Sequence, residues 1–135
     1  MAGVTLDSNI YVSALEFGGI GARLLGMGRA GNIRIDVSDA ILDEVVTVLR
    51  DDFHWPGYRL HFARENLAKI GNLVVPAQAV DVIREDPDDN RILECAVTAG
   101  SDFIVTYDKD LLRLGVYGSI TIVTAADFLQ RALLR

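Results

Sequence analysis

The sequence of 135 residues predicts an α/β fold, a sandwich of helices around a mostly parallel sheet. Short apolar runs alternate with longer stretches of helical periodicity, and glycines or prolines punctuate the boundaries. Strands that alternate with helices along a chain usually form a parallel sheet between helical layers. Because the length suits one domain, we expect residues 1–135 to form a single domain.

The first half of the chain is predicted to contain two strands and four helices. Gly18-Gly19 separates the first two helices, and Ser38 is a good N-cap for the third. Pro56 or a neighbour opens the fourth, and Gly71 ends it. The expected elements are a strand at 4–6, helices at 8–17 and 20–30, a strand at 33–37, and helices at 39–49 and 56–70.

The second half repeats the alternation with shorter elements. The turn 86–89 opens a helix that Gly100 closes, and Thr124 with Asp127 forms a capping box for the last helix. Two apolar runs flank Pro76, and one or both form the third strand. The expected elements are a strand at 73–75, 79–83 or both, a helix ending at 99, a strand at 103–106, a helical turn at 108–112 and a strand at 120–123.

Composition narrows the functional classes. A net charge of −6 argues against a protein that binds nucleic acid by bulk charge alone, although eleven of the thirteen basic residues are arginines, which suit phosphate oxygens. No apolar run approaches the roughly 20 residues of a membrane span, so no membrane partner is expected. The single cysteine, Cys95, is expected to be a buried small hydrophobe and suits a reducing compartment, so we expect a cytoplasmic protein.

Two acidic residues directly follow predicted strands. Asp7 comes after the first strand and Asp108 after the fourth. Ligands of open parallel sheets bind beyond the carboxyl ends of the strands, so both side chains could face one crevice. The common alternative for each is a helix N-cap or a turn aspartate.

Helical geometry separates Glu44 from its neighbour Asp43. The apolar stripe of the third helix consists of Ile41, Val45, Val48 and Leu49. Glu44 projects on the flank of this stripe, whereas Asp43 points towards water. A carboxylate beside a core face needs a partner, either a metal ion or an arginine in a salt bridge at the rim.

Other polar residues remain open to more than one interpretation. Among Asp86, Asp88 and Asp89, one caps the following helix; Asp89 is the preferred site residue and Asp86 the reserve. Asp110 is the reserve for Asp108 and more readily starts the next turn. Two further side chains could support the acids, or could serve as an N-cap and as an ordinary strand residue: Asn9 and Thr106.

Carboxylates drawn from distant parts of a chain repel one another unless a cation lies between them. Oxygen ligands of this kind favour a hard divalent cation. The sequence has no metalloprotease, zinc-ribbon, Walker or nucleophile-elbow motif, and His54 and His61 are too far apart to form a metal pair. Metal-dependent chemistry is therefore the leading hypothesis.

Three segments in this order resemble PIN domains: 5–11 (TLDSNIY), 86–96 (DPDDNRILECA) and 102–111 (DFIVTYDKDL). The chain is most similar to prokaryotic PIN proteins assigned as toxins of toxin–antitoxin pairs, the VapC-like proteins. The resemblance implies a three-layer α/β/α sandwich with a five-stranded parallel sheet of order 3-2-1-4-5. It also implies an Mg²⁺- or Mn²⁺-dependent ribonuclease with RNA as substrate, a homodimer and a cognate antitoxin. The metal ligands and catalytic residues it implies are Asp7, Glu44, Asp89 and Asp108.

Three alternatives remain at this stage. A phosphotransfer receiver domain is also α/β with acidic residues, but it needs an acceptor aspartate after the third strand, where Asp81 and Asp86 are poor candidates. A PIN fold that only binds and does not cut is the second. A PIN nuclease of RNA maturation, without an antitoxin, is the third.

Overall fold

The computed structural model describes residues 1–83 and 86–133, and within these ranges it contains one sheet with helices packed around it. The strands are β1 (Ala2–Leu6), β2 (Ile33–Ser38), β3 (Asn72–Val74), β4 (Phe103–Val105), β5 (Val116–Tyr117) and β6 (Ile120–Val123). The helices are α1 (Ser8–Phe17), α2 (Gly19–Arg29), α3 (Asp39–Asp51), α4 (Gly57–Ile70), α5 (Asp88–Ala99), α6 (Lys109–Leu114) and α7 (Ala125–Leu133). None of the described helices combines the length and the apolar character needed to cross a membrane.

The strand order is β3-β2-β1-β4-β6-β5, and every neighbouring pair is parallel except β5 with β6. The five parallel strands β3-β2-β1-β4-β6 form the expected sheet of order 3-2-1-4-5, in which β6 is the predicted fifth strand. The order of the chain reverses between β1 and β4, which is where such sheets bind ligands. It also differs from the 2-1-3-4-5 order of receiver domains, which sets that alternative aside.

The sheet has six strands rather than the five expected. The additional strand, β5, pairs with β6 through the turn Gly118-Ser119, in which Gly118 adopts a positive φ of 60°. A two-residue strand is too short to show any apolar periodicity. The turn itself, a glycine followed by serine, was the available signal.

Helices cover both faces of the sheet, as β2 shows. Its residues alternate between the two faces, with Ile35 on one and Asp36 on the other. Gly28 of α2 lies so close to Ile35 that a Cβ would not fit. On the opposite face Arg34 donates a 3.1 Å hydrogen bond to Ala99 O in α5. The three-layer arrangement is therefore confirmed.

Several predicted helix ends are confirmed by their caps. Ser38 Oγ accepts a 3.4 Å hydrogen bond from Ile41 N at the start of α3. Thr124 Oγ1 accepts one of 3.2 Å from Asp127 N at the start of α7. Gly18, between α1 and α2, has a φ of 78°, a conformation that favours glycine.

The third strand is confined to Asn72–Val74, so the second candidate run, 79–83, is not part of the sheet. Backbone N–H groups of this run bind side chains of α5 instead of a neighbouring strand. The backbone N–H groups of an apolar run can therefore form their hydrogen bonds with side chains of a helix instead of a strand. Strand propensity alone does not distinguish the two cases.

Candidate metal centre

The ends of β1 and β4 bring Asp7 and Asp108 to one edge of the sheet. Asp7 N donates a 2.9 Å hydrogen bond to Val105 O, which continues the pairing of the two strands. Thr106 Oγ1 donates to Asp7 Oδ2 at 2.6 Å and accepts from Asp108 N at 2.9 Å. One buried hydroxyl thus links both residues at the point where the strand order reverses.

The carboxylate of Asp7 does not serve as a helix cap. Asp7 occupies the N-cap position of α1, yet its side chain accepts no capping hydrogen bond. Its oxygens are bound by the hydroxyls of Thr106 and of Ser8, the latter at 3.2 Å. The carboxylate is therefore held between Thr106, at the end of β4, and Ser8, the first residue of α1.

Asp108 is placed both to cap a helix and to face the crevice, the two roles considered for it. Its Oδ1 caps α6 by accepting from Asp110 N at 2.8 Å and from Leu111 N at 3.3 Å. Because both capping bonds go to one oxygen, the second remains available to a ligand.

Asp86 and Asp89 approach Asp108 from the beginning of α5. Asp86 Oδ1 accepts a 3.2 Å hydrogen bond from Asp88 N, but the N-cap position of α5 is occupied by Pro87 and not by one of the three aspartates. Asp89 is buried, with 5% of the residue exposed, and its Oδ2 has no hydrogen-bond partner among the described residues. One oxygen from each of Asp86, Asp89 and Asp108 lies within 4.8 Å of the other two.

Glu44 enters the same region from α3. It lines a small cleft together with Asp7, Asp88 and Asp89, and the cleft volume of about 10 Å³ is close to that of one water-sized sphere. Asp43 is turned outward, with 71% of its side chain exposed, and binds Arg64 at 2.8 Å. Within residues 1–83 and 86–133, Glu44 forms no salt bridge with an arginine.

The electrostatics of the cluster favour protonation or a bound cation. Burial, followed by the charge of Asp108, raises the pKa of Asp89 to about 8. Burial also raises the pKa of Asp7, against the hydrogen bonds from Thr106 and Ser8 that lower it. The pKa of Glu44 is raised by burial and by the charge of Asp88. Each raised pKa means that the ionised carboxylate lacks sufficient compensation from the protein.

The donor set fits a divalent metal ion. Its charged groups are carboxylates, which hard cations such as Mg²⁺ and Mn²⁺ prefer. In the described part of the chain, the cation that lines the cleft is Arg91, which contacts Glu94 Oε1 at 2.9 Å and Val80 O at 3.2 Å. An ion at the unpartnered Oδ2 of Asp89 would supply the compensation that the protein lacks.

One predicted supporting residue, Asn9, and one reserve candidate, Asp110, are not part of the cluster. Asn9 has an exposed side chain, and only its backbone N–H acts on Asp7, lowering the pKa of that carboxyl. Asp110 forms a 3.3 Å ion pair with Arg113. Sequence reasoning overlooked Ser8 and Asp88, which line the cleft. The signal for each was adjacency to a predicted site residue at the start of a helix.

A parallel sheet with a carboxylate cluster at its reversal point is an arrangement that can hold a divalent metal ion. A model of the PIN domain matches residues 3–110, a span that contains every acidic residue of the cluster. The chain therefore belongs to the PIN domain family. PIN domains are generally metal-dependent nucleases. A comparison with curated proteins finds no match.

Proposed function

We propose that this chain is an Mg²⁺- or Mn²⁺-dependent endoribonuclease that hydrolyses phosphodiester bonds of RNA. The observation that carries the proposal is the buried Oδ2 of Asp89, which has no hydrogen-bond partner in the described part of the chain and lies beside Asp86 and Asp108. A cluster of this kind would remain electrostatically unfavourable without a cation. Family membership supplies the nuclease chemistry that such a cation serves.

We assign Asp7, Asp89 and Asp108 to hold the ion, with Asp86 at the same site and Glu44 on the facing side. A bound divalent ion stabilises negative charge on phosphate oxygens and increases the acidity of a water molecule. The buried position of Asp89 limits competition from bulk water. The hydroxyls of Thr106 and Ser8 fix the orientation of the Asp7 carboxylate.

The substrate would lie in the groove between α3 and α5. This groove, of about 440 Å³, is open and shares Glu44, Asp88 and Arg91 with the acidic cleft. Arg91 lines both the groove and the cleft, and 43% of its side chain is exposed, so its guanidinium could hold a phosphate. Single-stranded or looped RNA suits such a groove, since its unstacked bases can be splayed outward.

Cleavage of a mixed RNA pool tests the nuclease proposal. The wild type is expected to cut with Mn²⁺ or Mg²⁺ and to stop in EDTA, whereas Asp7→Asn is expected to be inactive with the metal present. Asp51→Asn is the matched control, because Asp51 is also an acidic residue of α3 but pairs with Arg50 on the surface and lines neither the cleft nor the groove. Cleavage that survives both EDTA and Asp7→Asn would overturn the metal mechanism.

The same experiment separates the nuclease from a PIN fold that only binds. A binding module would retain RNA and Mn²⁺ and release no fragments. Calorimetry with Mn²⁺ alone provides the second measurement. Absence of binding at millimolar metal would contradict the metal site itself.

We further propose that the chain is the toxin of a toxin–antitoxin pair, acting in the cytoplasm as a homodimer and neutralised by a cognate antitoxin. The support is the similarity to VapC-like proteins in the three motifs described above. Expression is expected to arrest growth, and Asp89→Asn is expected to relieve the arrest. A nuclease that cuts RNA without arresting growth would instead indicate a role in RNA maturation, and light scattering checks the dimer.

A further inference from the structure

Loop 75–83, which connects β3 to the turn before α5, lies along α5 and is attached to it by polar side chains. Thr98 accepts from Ala77 N at 3.1 Å, Glu94 from Val80 N at 2.6 Å, and Asn90 from the backbone near the end of the loop. These three side chains are four residues apart, so they form one stripe along the helix. The loop thus follows α5 from its C-terminal part towards its first turn.

Asn90 makes the largest number of these contacts. Its Oδ1 accepts from Val82 N at 2.9 Å and from Ile83 N at 2.8 Å. Its Nδ2 donates to Ile83 O at 2.7 Å. The side chain is buried, with 1% exposed, so these bonds are shielded from competing water.

Packing alone holds only part of this loop. Val75 is 83% exposed and Val82 is 43% exposed, whereas Ile83 is buried in the core. The backbone beside Ile83 would carry unsatisfied polar groups without Asn90. Asn90 therefore fixes both the position and the direction of the chain where the loop ends.

The end of the loop matters because Asp86 follows Ile83 by three residues and reaches the acidic cluster. Asn90 also directly follows Asp89 in the first turns of α5. A single helical segment thus supplies one buried carboxylate of the cluster and fixes the chain three residues before another.

We propose that Asn90 is a positioning residue of the metal centre, which sets the affinity for a divalent cation by holding Asp86 against Asp89 and Asp108. This inference rests on the proposed metal-dependent function. Residues that orient metal ligands usually change the metal affinity by about 10- to 100-fold when they are removed.

A double-mutant cycle with Mn²⁺ as the probe tests the inference without RNA. Asn90→Ala is expected to weaken Mn²⁺ binding about tenfold in calorimetry, by the usual effect of ligand-orienting residues. Asp86→Asn removes the positioned carboxylate, so adding Asn90→Ala to Asp86→Asn is expected to cause little further loss. A general loss of folding would weaken binding in both backgrounds. Unchanged affinity in Asn90→Ala, or fully additive effects, would overturn the inference.

Thr98→Val is the matched control, because it releases the same loop at Ala77, far from Asp86. It is expected to leave Mn²⁺ affinity unchanged. Asn90→Asp provides a second variant if Asn90→Ala does not fold, since it keeps the acceptor and loses the donor to Ile83 O. Its added negative charge would by itself tighten cation binding, so unchanged or weaker binding supports positioning, and tighter binding contradicts it.

Hydrogen exchange distinguishes failure of this inference from failure of the proposed function. The Val82 and Ile83 amides are expected to exchange faster in metal-free Asn90→Ala than in the wild type. Exchange that stays as slow as in the wild type would overturn the attachment itself. Wild-type protein that binds no Mn²⁺ would overturn the proposed metal function, whatever the exchange result.

Discussion

Thr106 Oγ1 donates a 2.6 Å hydrogen bond to Asp7 Oδ2 and thereby joins the end of β4 to the end of β1. The same oxygen accepts from Asp108 N at 2.9 Å. Thr106 is fully buried, so water cannot replace either bond. One hydroxyl consequently orients the Asp7 carboxylate and the chain that carries Asp108.

Thr106→Val is expected to weaken both metal binding and stability. The substitution keeps the shape of the side chain and leaves Asp7 and the Asp108 N–H without their partner, which costs about 1–3 kcal/mol of unfolding free energy. Mn²⁺ affinity is expected to fall about tenfold, because an orienting partner of a ligand is lost. Calorimetry and urea denaturation measure the two effects. Thr106→Ser retains the hydroxyl and is expected to stay close to the wild type; equal losses in both variants would contradict the role of the hydrogen bond.

The stability of the metal-free protein is expected to fall as the pH rises. Burial and neighbouring charges raise the pKa of Asp89 from 3.8 to about 8, so the folded protein retains a proton that the unfolded chain has already lost. Stability therefore decreases above pH 4 and levels off above about pH 8. Urea denaturation in EDTA between pH 4 and pH 9 measures this trend.

Asp89→Asn is the control for the pH experiment, because it cannot release the proton. Its stability is expected to depend less on pH than that of the wild type. Saturating Mn²⁺ is expected to oppose the decline, since the cation replaces the proton and stabilises the folded state by about 2.7 kcal/mol at 100 times its Kd. A metal-free wild type whose stability rises steadily over this range would contradict the buried, unpaired state of Asp89.

Arg91 is expected to contribute to RNA binding rather than to metal binding. In the catalytically inactive Asp7→Asn variant, adding Arg91→Ala should weaken RNA binding. The slope of the logarithm of the RNA-binding constant against the logarithm of the salt concentration should decrease by about 0.7 for each lost phosphate contact. Mn²⁺ affinity should change much less. Fluorescence anisotropy at several salt concentrations measures the slope. Arg91→Lys retains the charge and is expected to keep most of the slope. An unchanged slope in Arg91→Ala would show that Arg91 does not contact a phosphate.

The parts of the site that the sequence predicted are those determined by local pattern. Asp7 and Asp108 follow apolar runs short enough to be recognised as strands, and the stripe of α3 distinguishes Glu44 from Asp43. The order of the parallel strands came from the PIN resemblance, because apolar periodicity does not specify which strands are neighbours. The fold prediction was therefore correct in its layers and in five of its strands.

The features that were missed depend on contacts between distant residues. Residues 79–83 have the composition of a strand, yet their N–H groups bind Asn90 and Glu94 on a helix. Asp86 was only a reserve, because Asp89 is closer to the body of the helix, yet one of its oxygens lies within 4.8 Å of Asp89 and Asp108. The preference for Asp89 over Asp86 came from the resemblance, whereas the structure brings both into one cluster.

Asp36 shows how a buried carboxylate differs when its role is structural. It is fully buried on β2, but Arg34 binds it at 2.7 Å, and Ser101 and Asn72 donate further hydrogen bonds at 2.7 and 3.0 Å. Among residues 1–83 and 86–133, no side chain or backbone group supplies such compensation to Asp89 Oδ2. The presence of an arginine partner, rather than burial alone, thus separates a structural carboxylate from a candidate metal ligand.

Arg34→Met is therefore expected to destabilise the protein while leaving Mn²⁺ affinity unchanged. The substitution leaves the Asp36 charge buried without its cation; we expect a loss of about 2 kcal/mol, below the roughly 3–5 kcal/mol of fully buried pairs because Arg34 is partly exposed. Arg50→Met is the matched control, because Arg50 pairs with Asp51 on the surface and its loss should leave stability near that of the wild type. Urea denaturation and Mn²⁺ calorimetry measure the two properties. Equal stability of the two variants would contradict the structural role of the Arg34–Asp36 pair, and a large loss of Mn²⁺ affinity in Arg34→Met would place Asp36 within the metal centre.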